Sequence, residues 1–183
     1  MNTKTFSLSV RDDITLRFIR PDEAEALYKL VDDNRAYLRE WLNWVDEQTG
    51  PEASKENILE RIEKAKTMEV FDLGIYLEGK LIGSIGFNPI SLKHRQAEIG
   101  YWISGEYQKQ GTMTDCVRAL TSFGFKELAL HRIEICCSTR NAKSSAIPEK
   151  LGFTFEGILR EAFYLYDHFE DSSVYGILAH EWK

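Results

Sequence analysis

The segment from Tyr107 to Thr114 contains polar side chains around one glycine, Gly111, and lies between a strand pattern and the longest helix pattern of the chain. A helix that begins directly after such a loop exposes unpaired backbone N–H groups and about half a positive charge, so it can hold a phosphate group. Gly111 lets the backbone approach an anion because it has no side chain. The alternative is a plain loop with a glycine at a helix start. The segment lacks the glycines of nucleoside triphosphate and dinucleotide loops, which excludes both of those sites.

Three aromatic residues, Tyr37, Trp41 and Trp44, follow one another at intervals of three or four positions in a stretch with helical periodicity. Aromatic side chains at this spacing usually belong to a hydrophobic core. They could also form the floor of a substrate cleft, and the spacing alone leaves both interpretations open.

The cysteines and histidines are arranged in a way that does not indicate a metal site. The three cysteines form neither an even framework nor a Cys-x-x-Cys pair, so we expect no disulfide scaffold and no metal. Cys136 and Cys137 are adjacent on a predicted strand and face opposite ways, so at most one of them should face a cavity. A nucleophilic thiol would need a histidine close by, and we expect both residues in the core.

The periodicity of apolar residues predicts the elements that position these residues. Helices are predicted from Pro21 and over Arg35–Val45, Ser54–Met68, Thr112–Leu130 and Ala142–Lys150. Strands are predicted over Ile14–Arg20, Phe71–Leu77, Lys80–Phe87, Ala97–Ile103, Arg132–Ser138, Phe153–Leu159, Ala162–Leu165 and Val174–His180. The predicted order is a group of helices, then an antiparallel meander of strands, then an alternation of helix, strand, helix and strand. This order indicates a single α+β domain over residues 1–183.

Length and composition agree with one core and exclude several classes of protein. The chain has 183 residues, of which 43% are hydrophobic and 28% charged. No run of about 18 apolar residues indicates a membrane span, and the N-terminal segment does not look like a secretion signal, so we expect a cytoplasmic protein without membrane contact. The formal net charge of −6 argues against direct binding to nucleic acid and weakly favours a cationic partner.

The order of the motifs resembles the GNAT superfamily of acetyl-CoA-dependent N-acetyltransferases. The motifs are Gln108-x-x-Gly111-x-Met113, Asn141-x-x-Ser144, Glu149-Lys150-Leu151-Gly152-Phe153 and Glu156-Gly157. The similarity covers nearly the whole chain and is strongest to the RimJ/RimL type, which acetylates the N-termini of ribosomal proteins. It implies the GNAT fold, with a mixed, mostly antiparallel central sheet flanked by helices and two strands that splay apart after Cys137. Met113 stands where the superfamily usually has Gly or Ala, but that branch often carries Met-Thr.

The resemblance assigns acetyl-CoA as cosubstrate and names the residues that would hold it. The backbone N–H groups of the turn at Gln108, Gln110, Gly111, Thr112, Met113 and Thr114 would bind the pyrophosphate. The main chain of Trp102 and Ile103 would pair with pantetheine. Asn141 and Ser144 would lie beside the cofactor arm, although both types also cap helices and turns.

The resemblance also suggests the catalytic groups, with two departures from the family pattern. Glu98 is the expected base, and the alternative is a surface carboxylate paired with Lys93 or Arg95. Pro148 stands where the superfamily often has a tyrosine acid, so Ser144 or water would protonate the thiolate. Phe163 stands where some relatives carry a glutamate.

These features lead to one preferred function and two alternatives. Acetylation needs a neutral amine, and an N-terminal α-amine with a pKa of about 7.7 to 8.0 is easier to present neutral than lysine at about 10.4. We therefore expect the acceptor to be the N-terminus of a protein, such as a ribosomal protein, with Tyr37, Trp41 and Trp44 on the substrate side. The alternatives are acetylation of a polyamine or aminoglycoside, and a catalytically silent coenzyme A-binding module. A homo-oligomer is compatible with the sequence.

Overall fold

The computed structural model describes residue 3 and residues 5–183. Eight strands form one sheet in the order β1-β2-β3-β4-β5-β6-β8-β7. Neighbouring strands are antiparallel except β5 and β6, which are parallel. The strands are β1 Ser7–Arg11, β2 Ile14–Arg17, β3 Phe71–Leu77, β4 Lys80–Ser91, β5 Gln96–Ile103, β6 Arg132–Ser138, β7 Thr154–Leu165 and β8 His168–Leu178.

Five α-helices pack on the two faces of this sheet. They are α1 Ala24–Asp33, α2 Arg35–Leu38, α3 Pro51–Lys66, α4 Thr112–Lys126 and α5 Ala142–Lys150, with short 3-10 turns at Pro21–Glu23, Val45–Glu47 and Gly105–Tyr107. None of the helices in residues 5–183 combines the length and the apolar character that crossing a membrane requires. The mixed sheet flanked by helices is the GNAT-type α+β arrangement that the resemblance implied.

The predicted helix over Arg35–Val45 is wrong in its length. The α-helix α2 ends at Leu38, and the chain continues in turns to the 3-10 turn at Val45–Glu47. The Arg35 guanidinium donates to the carbonyl oxygens of Val45 at 2.8 Å and Gln48 at 2.7 Å. These bonds draw the chain back towards the start of α2, which a continuous helix could not do.

Other boundaries differ for local reasons. Strand β1 was not predicted, because it is a short edge strand with only partly buried side chains. Helix α3 begins at Pro51, in agreement with the preference of proline for the first helical turn, and Ser54 lies inside the helix instead of capping it. The two strands predicted on either side of Arg160 are one strand, β7, whose register with β8 shifts between Leu159 and Phe163.

The two faces of the sheet have different coverings. Helix α4 covers one face, where its buried residues from Met113 to Phe123 join the main hydrophobic core with residues of β2 to β6 and β8. Helices α1 to α3 cover part of the other face through a smaller cluster that includes Leu27, Val31 and Ile58.

The central strands β5 and β6 pair over a short stretch and then separate. Their three paired positions run from Gln96 opposite Arg132 to Glu98 opposite Glu134. Beyond Glu98 the edge of β5 is open, while β6 continues to pair with β8 as far as Ser138. The expected splay is therefore present, but it begins after Glu134, three residues before the expected position at Cys137. We call this opening the fork.

Candidate active site

A cavity of about 1500 Å³ runs through the fork and reaches both faces of the sheet. Every site residue predicted from the sequence lies on its wall. They are Tyr37, Trp41, Trp44, Glu98, Trp102, Ile103, Gln108, Gln110, Gly111, Thr112, Met113, Thr114, Asn141 and Ser144. The fold therefore brings together residues from α2, β5, α4 and α5 that are more than 100 positions apart in the chain.

The loop before α4 has the backbone geometry of an anion site. Gly111 is the N-cap of α4 and has a φ of 79°, a left-handed conformation that favours glycine. The first hydrogen bond of the helix is donated by the Asp115 N–H to the Gly111 carbonyl oxygen. The backbone N–H groups of the first turn, before Asp115, therefore have no partner within the helix and can donate to a ligand. A Cβ on Gly111 would meet no atom within 4 Å, which shows that the space beside it is open. The site thus fits a phosphate group held by main chain.

Hydrogen bonds from two basic side chains brace this loop. The Lys143 Nζ donates to the Gln108 Oε1 at 3.2 Å and links α5 to the loop. Arg11, on β1, donates to the Thr112 hydroxyl at 3.4 Å and to Asp115 at 3.3 Å. Since the side chains of Thr112 and Met113 are buried, their contribution to a ligand is restricted to the backbone.

Asn141 and Ser144 lie at the beginning of α5, on the side of the fork that faces α4. The Asn141 Oδ1 accepts a hydrogen bond from the Ser144 N–H at 3.1 Å, so the capping role is present. The Ser144 hydroxyl donates to the Tyr101 Oη at 3.1 Å, and the Tyr101 hydroxyl donates to the Ser144 carbonyl oxygen at 3.0 Å. Burial raises the pKa of Tyr101, which keeps its phenol protonated.

Tyr101 was not predicted as a site residue. Its hydroxyl group comes from β5, whereas the family pattern led us to look for a phenol on α5, where Pro148 is buried in the helix. The alternation of β5 places Tyr101 on the face of α5, and only the folded chain brings it to Ser144.

Glu98 occupies the last paired position of β5, at the base of the fork. Burial raises the pKa of its carboxyl group to about 7, with a further increase from the nearby Glu134 carboxylate, and a contact with the Cys136 thiol acts in the opposite direction. In the described part of the chain Glu98 forms no ion pair, and the Arg95 guanidinium instead donates to the Ala129 carbonyl oxygen. The alternative of a surface carboxylate paired with Lys93 or Arg95 is therefore wrong. At neutral pH this carboxyl group is about half ionised and can accept a proton.

The aromatic residues lie on the opposite side of the fork from Ser144. Tyr37 and Trp44 are half-buried and pack against the smaller core cluster while they line the cavity, so the core and cleft interpretations both apply. The rings of Trp44 and Trp102 are 6.1 Å apart. The Tyr37 hydroxyl donates to the Ile103 carbonyl oxygen, which fixes α2 to the open edge of β5.

The expectation that at most one of Cys136 and Cys137 would face a cavity is wrong. The two side chains do face opposite ways, but both line the cavity because it passes through the sheet at the fork. The Cys137 thiol lies 3.3 Å from the Ser145 hydroxyl, on the side of α5. Burial raises the pKa of Cys136 to about 12, so its thiol is protonated at neutral pH.

A charged network beside the fork was also missed by sequence reasoning. The buried Glu170 carboxylate accepts hydrogen bonds from Arg140, from the Ser138 hydroxyl at 2.6 Å and from His168 at 2.7 Å. Arg140 and these donors lower the pKa of Glu170 to about 2. The Arg140 side chain also lies over the Trp41 ring at 5.8 Å. The network fixes the turn between β6 and α5, and therefore the position of Asn141.

Asp72 on β3 is a second acidic residue in the cavity wall that the sequence did not single out. Its Oδ2 lies 2.8 Å from the Arg61 Nη1, and burial raises the pKa of the carboxyl group although Arg61 opposes this. No cluster of three histidine, cysteine, aspartate or glutamate side chains within the described residues is placed to hold a metal ion.

Comparison with known proteins agrees with this geometry. A family model described as an acetyltransferase (GNAT) domain matches residues 13–154. The Bacillus subtilis protein YdaF, named as a candidate ribosomal N-acetyltransferase, is 32% identical over 97% of this chain and 98% of its own length. The Escherichia coli ribosomal-protein-serine acetyltransferase is 28% identical over 93% of this chain and 96% of its own.

Solved structures give the same result. RimL, an L7/L12 α-N-protein acetyltransferase solved in complex with coenzyme A, superposes with a TM-score of 0.91 at 26% identity, over 94% of this chain and 98% of its own. The structural similarity thus extends over nearly the whole chain.

Proposed function

The chain belongs to the GNAT acetyltransferase family and is an N-acetyltransferase that uses acetyl-CoA, and we propose that its acceptor is the α-amine at the N-terminus of a protein. The proposal is carried by one observation, the partly buried Glu98 carboxyl group in the cavity wall at the base of the fork, where burial raises its pKa to about 7. Acetyl-CoA supplies the thioester that the amine attacks. The backbone N–H groups after Gly111 would hold its pyrophosphate, and the open edge of β5 at Trp102 and Ile103 would face its pantetheine arm.

The pKa of Glu98 is better matched to an α-amine than to lysine. Transfer of a proton to a group with a pKa of about 7 from an α-ammonium at about 7.7 to 8.0 costs about 1 kcal/mol. The same transfer from a lysine at about 10.4 costs roughly 4.6 kcal/mol. Glu98, acting directly or through one water, is therefore the proposed base for an N-terminal acceptor.

Ser144 is the proposed proton donor to the departing thiolate, and Tyr101 positions it. In this role the Ser144 hydroxyl rotates away from the Tyr101 Oη and donates its proton to sulfur, and solvent returns a proton to the serine while Glu98 releases the amine proton to solvent. The raised pKa of Tyr101 keeps the phenol protonated and its hydrogen bond to the Ser144 carbonyl intact. The proposed base and the proposed proton donor then lie on opposite faces of the sheet and line the same cavity.

A ribosomal protein is the proposed class of acceptor, and the cytoplasm is the proposed compartment. The net charge of −6 is favourable for association with a basic protein. The names of the E. coli relative and of RimL, both of which act on ribosomal proteins, support this choice. The comparisons do not favour a small-molecule acceptor or a silent coenzyme A-binding module.

Mass spectrometry of protein N-termini tests this function in cells. We compare cells that have the gene, cells that lack it, and cells in which the gene encodes Glu98→Gln. We expect one or a few N-termini, ribosomal among them, to be acetylated only in the first. Unchanged N-termini together with a change in acetylated polyamines or lysines would reject the proposal.

A further inference from the structure

The face of the sheet that carries Glu98 also has a gap in its surface at Gly100. The register places Asp72 of β3, Gly86 of β4 and Gly100 of β5 side by side, and Ser84 opposite Trp102. Neighbouring strands are about 4.8 Å apart, and Glu98 precedes Gly100 by two residues, or about 6.7 Å, on the same face. All these residues line the cavity except Gly86, which lies under Asp72.

The two glycines differ in the space above them. A Cβ on Gly86 would lie 2.3 Å from the Asp72 Oδ1 and 2.6 Å from the Phe71 carbonyl oxygen, so the Asp72 carboxylate and the backbone of β3 occupy the volume that a side chain would need there. A Cβ on Gly100 would meet nothing within 4 Å. Gly100 has an ordinary extended conformation in the middle of a strand, so its backbone does not require glycine.

The space above Gly100 is therefore bounded on three sides. Glu98 and Trp102 flank it along β5, and the Asp72 carboxylate flanks it across the sheet. Of the two oxygens of Asp72, Oδ2 is paired with Arg61 at 2.8 Å, whereas Oδ1 lies over Gly86, on the side of Gly100. Arg61 also balances the charge of the carboxylate, so the subsite offers a hydrogen-bond acceptor and little net charge.

We propose that the space above Gly100 receives the first side chain of the acceptor, and that it selects a short side chain that donates a hydrogen bond to Asp72. This inference rests on the proposed function, because it assumes that the α-amine lies at Glu98. The side chain of the residue that carries this amine then reaches Gly100, which lies two residues after Glu98 on the same face of β5. Serine, threonine and asparagine meet the requirement. Longer side chains do not, because Glu98 and Trp102 bound the space along β5, and a basic side chain finds no free counter-charge at Asp72, which is already paired with Arg61.

The test measures kcat/KM for peptides that differ only in their first residue, using thiol release from acetyl-CoA. The informative pairs are serine with alanine and threonine with valine, since each pair differs little in size. We expect the parent protein to prefer the hydroxyl member of each pair, and Asp72→Asn to reduce this preference about tenfold. Gly100→Ala should lower kcat/KM about tenfold or more for serine and threonine peptides and leave the KM for acetyl-CoA unchanged.

Gly50→Ala is the matched control, because Gly50 is extended, has open space around its Cβ position and lies at the start of α3. Thermal unfolding verifies that all variants are folded. Equal serine to alanine ratios in the parent, or a Gly100→Ala protein with a raised KM for acetyl-CoA and unchanged ratios, would overturn the subsite. A parent that acetylates no peptide but does acetylate a polyamine would reject the proposed function, and the subsite with it.

Discussion

The two faces of the central sheet differ in polarity and in side-chain volume, although alternate residues of the same strands build them. Towards α4, strand β5 presents the buried residues Ala97, Ile99 and Ile103. Towards the aromatic side of the cavity it presents Glu98, Gly100 and Trp102. The first face carries mainly buried apolar side chains, whereas the second leaves open space above Gly100 and carries a carboxyl group.

This difference shows how the fork separates two tasks. On the α4 side the chain supplies helix N-termini, the Gly111 turn and the Ser144–Tyr101 pair, which suit the phosphates and the leaving group of acetyl-CoA. On the other side it supplies Glu98, which suits an amine. Because β5 and β6 separate only after Glu98, that residue lies where the two sides meet.

The largest expected effect comes from Glu98→Gln, which removes the proposed base from the proposed acceptor face. We expect kcat/KM at pH 7 to fall about 10² to 10⁴-fold, and to recover partly at higher pH, where the free amine loses its own proton. A pH-rate profile measures this. A Glu98→Gln protein with the parental profile would show that the carboxylate is not the base.

The same variant should be more stable than the parent at alkaline pH. Folding raises the pKa of Glu98 from its usual 4.5 to about 7, so ionising the group disfavours the folded state as the pH rises through this range. Glutamine cannot ionise, and we expect its melting temperature to exceed that of the parent by a few degrees at pH 8, with no excess at pH 4.5. Equal melting temperatures at pH 8 would contradict the assigned burial.

On the other face, Ser144→Ala should lower kcat about 10- to 10²-fold with little change in affinity for coenzyme A. Ser145→Ala is the control, since that hydroxyl bonds to the Asn141 carbonyl oxygen at 3.3 Å on the same helix. Tyr101→Phe should have a smaller effect than Ser144→Ala, because it removes only the positioning bond. Near-parental turnover of Ser144→Ala would show that Ser144 does not protonate the thiolate, and water would then be the proton donor.

Gly111→Val should weaken binding of coenzyme A about tenfold or more, because a β-branched residue is strained at a φ of 79° and hinders approach of the pyrophosphate. Gly79→Val is the matched control, since Gly79 has a φ of 82° in the β3–β4 turn. Calorimetric titration with coenzyme A should show weakened binding for Gly111→Val and parental affinity for Gly79→Val. Equal affinities of the two folded variants for coenzyme A would show that this loop does not bind the pyrophosphate.

The smallest effect distinguishes the two roles of Asn141. Asn141→Ala removes the cap of α5 and should cost about 1 kcal/mol of stability. Asn141→Asp keeps an oxygen for the Ser144 N–H, so its stability should stay near that of the parent, whereas the new negative charge should weaken coenzyme A binding if Asn141 lies beside the cofactor. Unaltered binding by Asn141→Asp would leave Asn141 with the capping role alone.

The sequence was sufficient to predict the elements with strong periodicity and the glycine turn before α4. The strand Arg132–Ser138 and the helix Ala142–Lys150 agree with the structure at both ends, because apolar runs and capping residues mark them. The Gly111 turn was recognisable for the same reason, since its signal is local.

The acceptor side could be predicted less well, because it depends on contacts between distant residues. The end of α2 is set by bonds from Arg35 to a later loop, and Tyr101 meets Ser144 across 43 positions. Asp72 becomes a wall of the cavity only through its neighbours Gly86 and Arg61. Neither periodicity nor motif spacing carries that information.

The most direct measurement compares two acceptor peptides of matched sequence at pH 7. One has a free N-terminus and no lysine, and the other has a blocked N-terminus and one lysine. We expect the purified protein to acetylate the first and to leave the second unreacted, because Glu98 is matched to an α-amine. Faster acetylation of the lysine peptide, or of spermidine in preference to both, would contradict the N-terminal assignment.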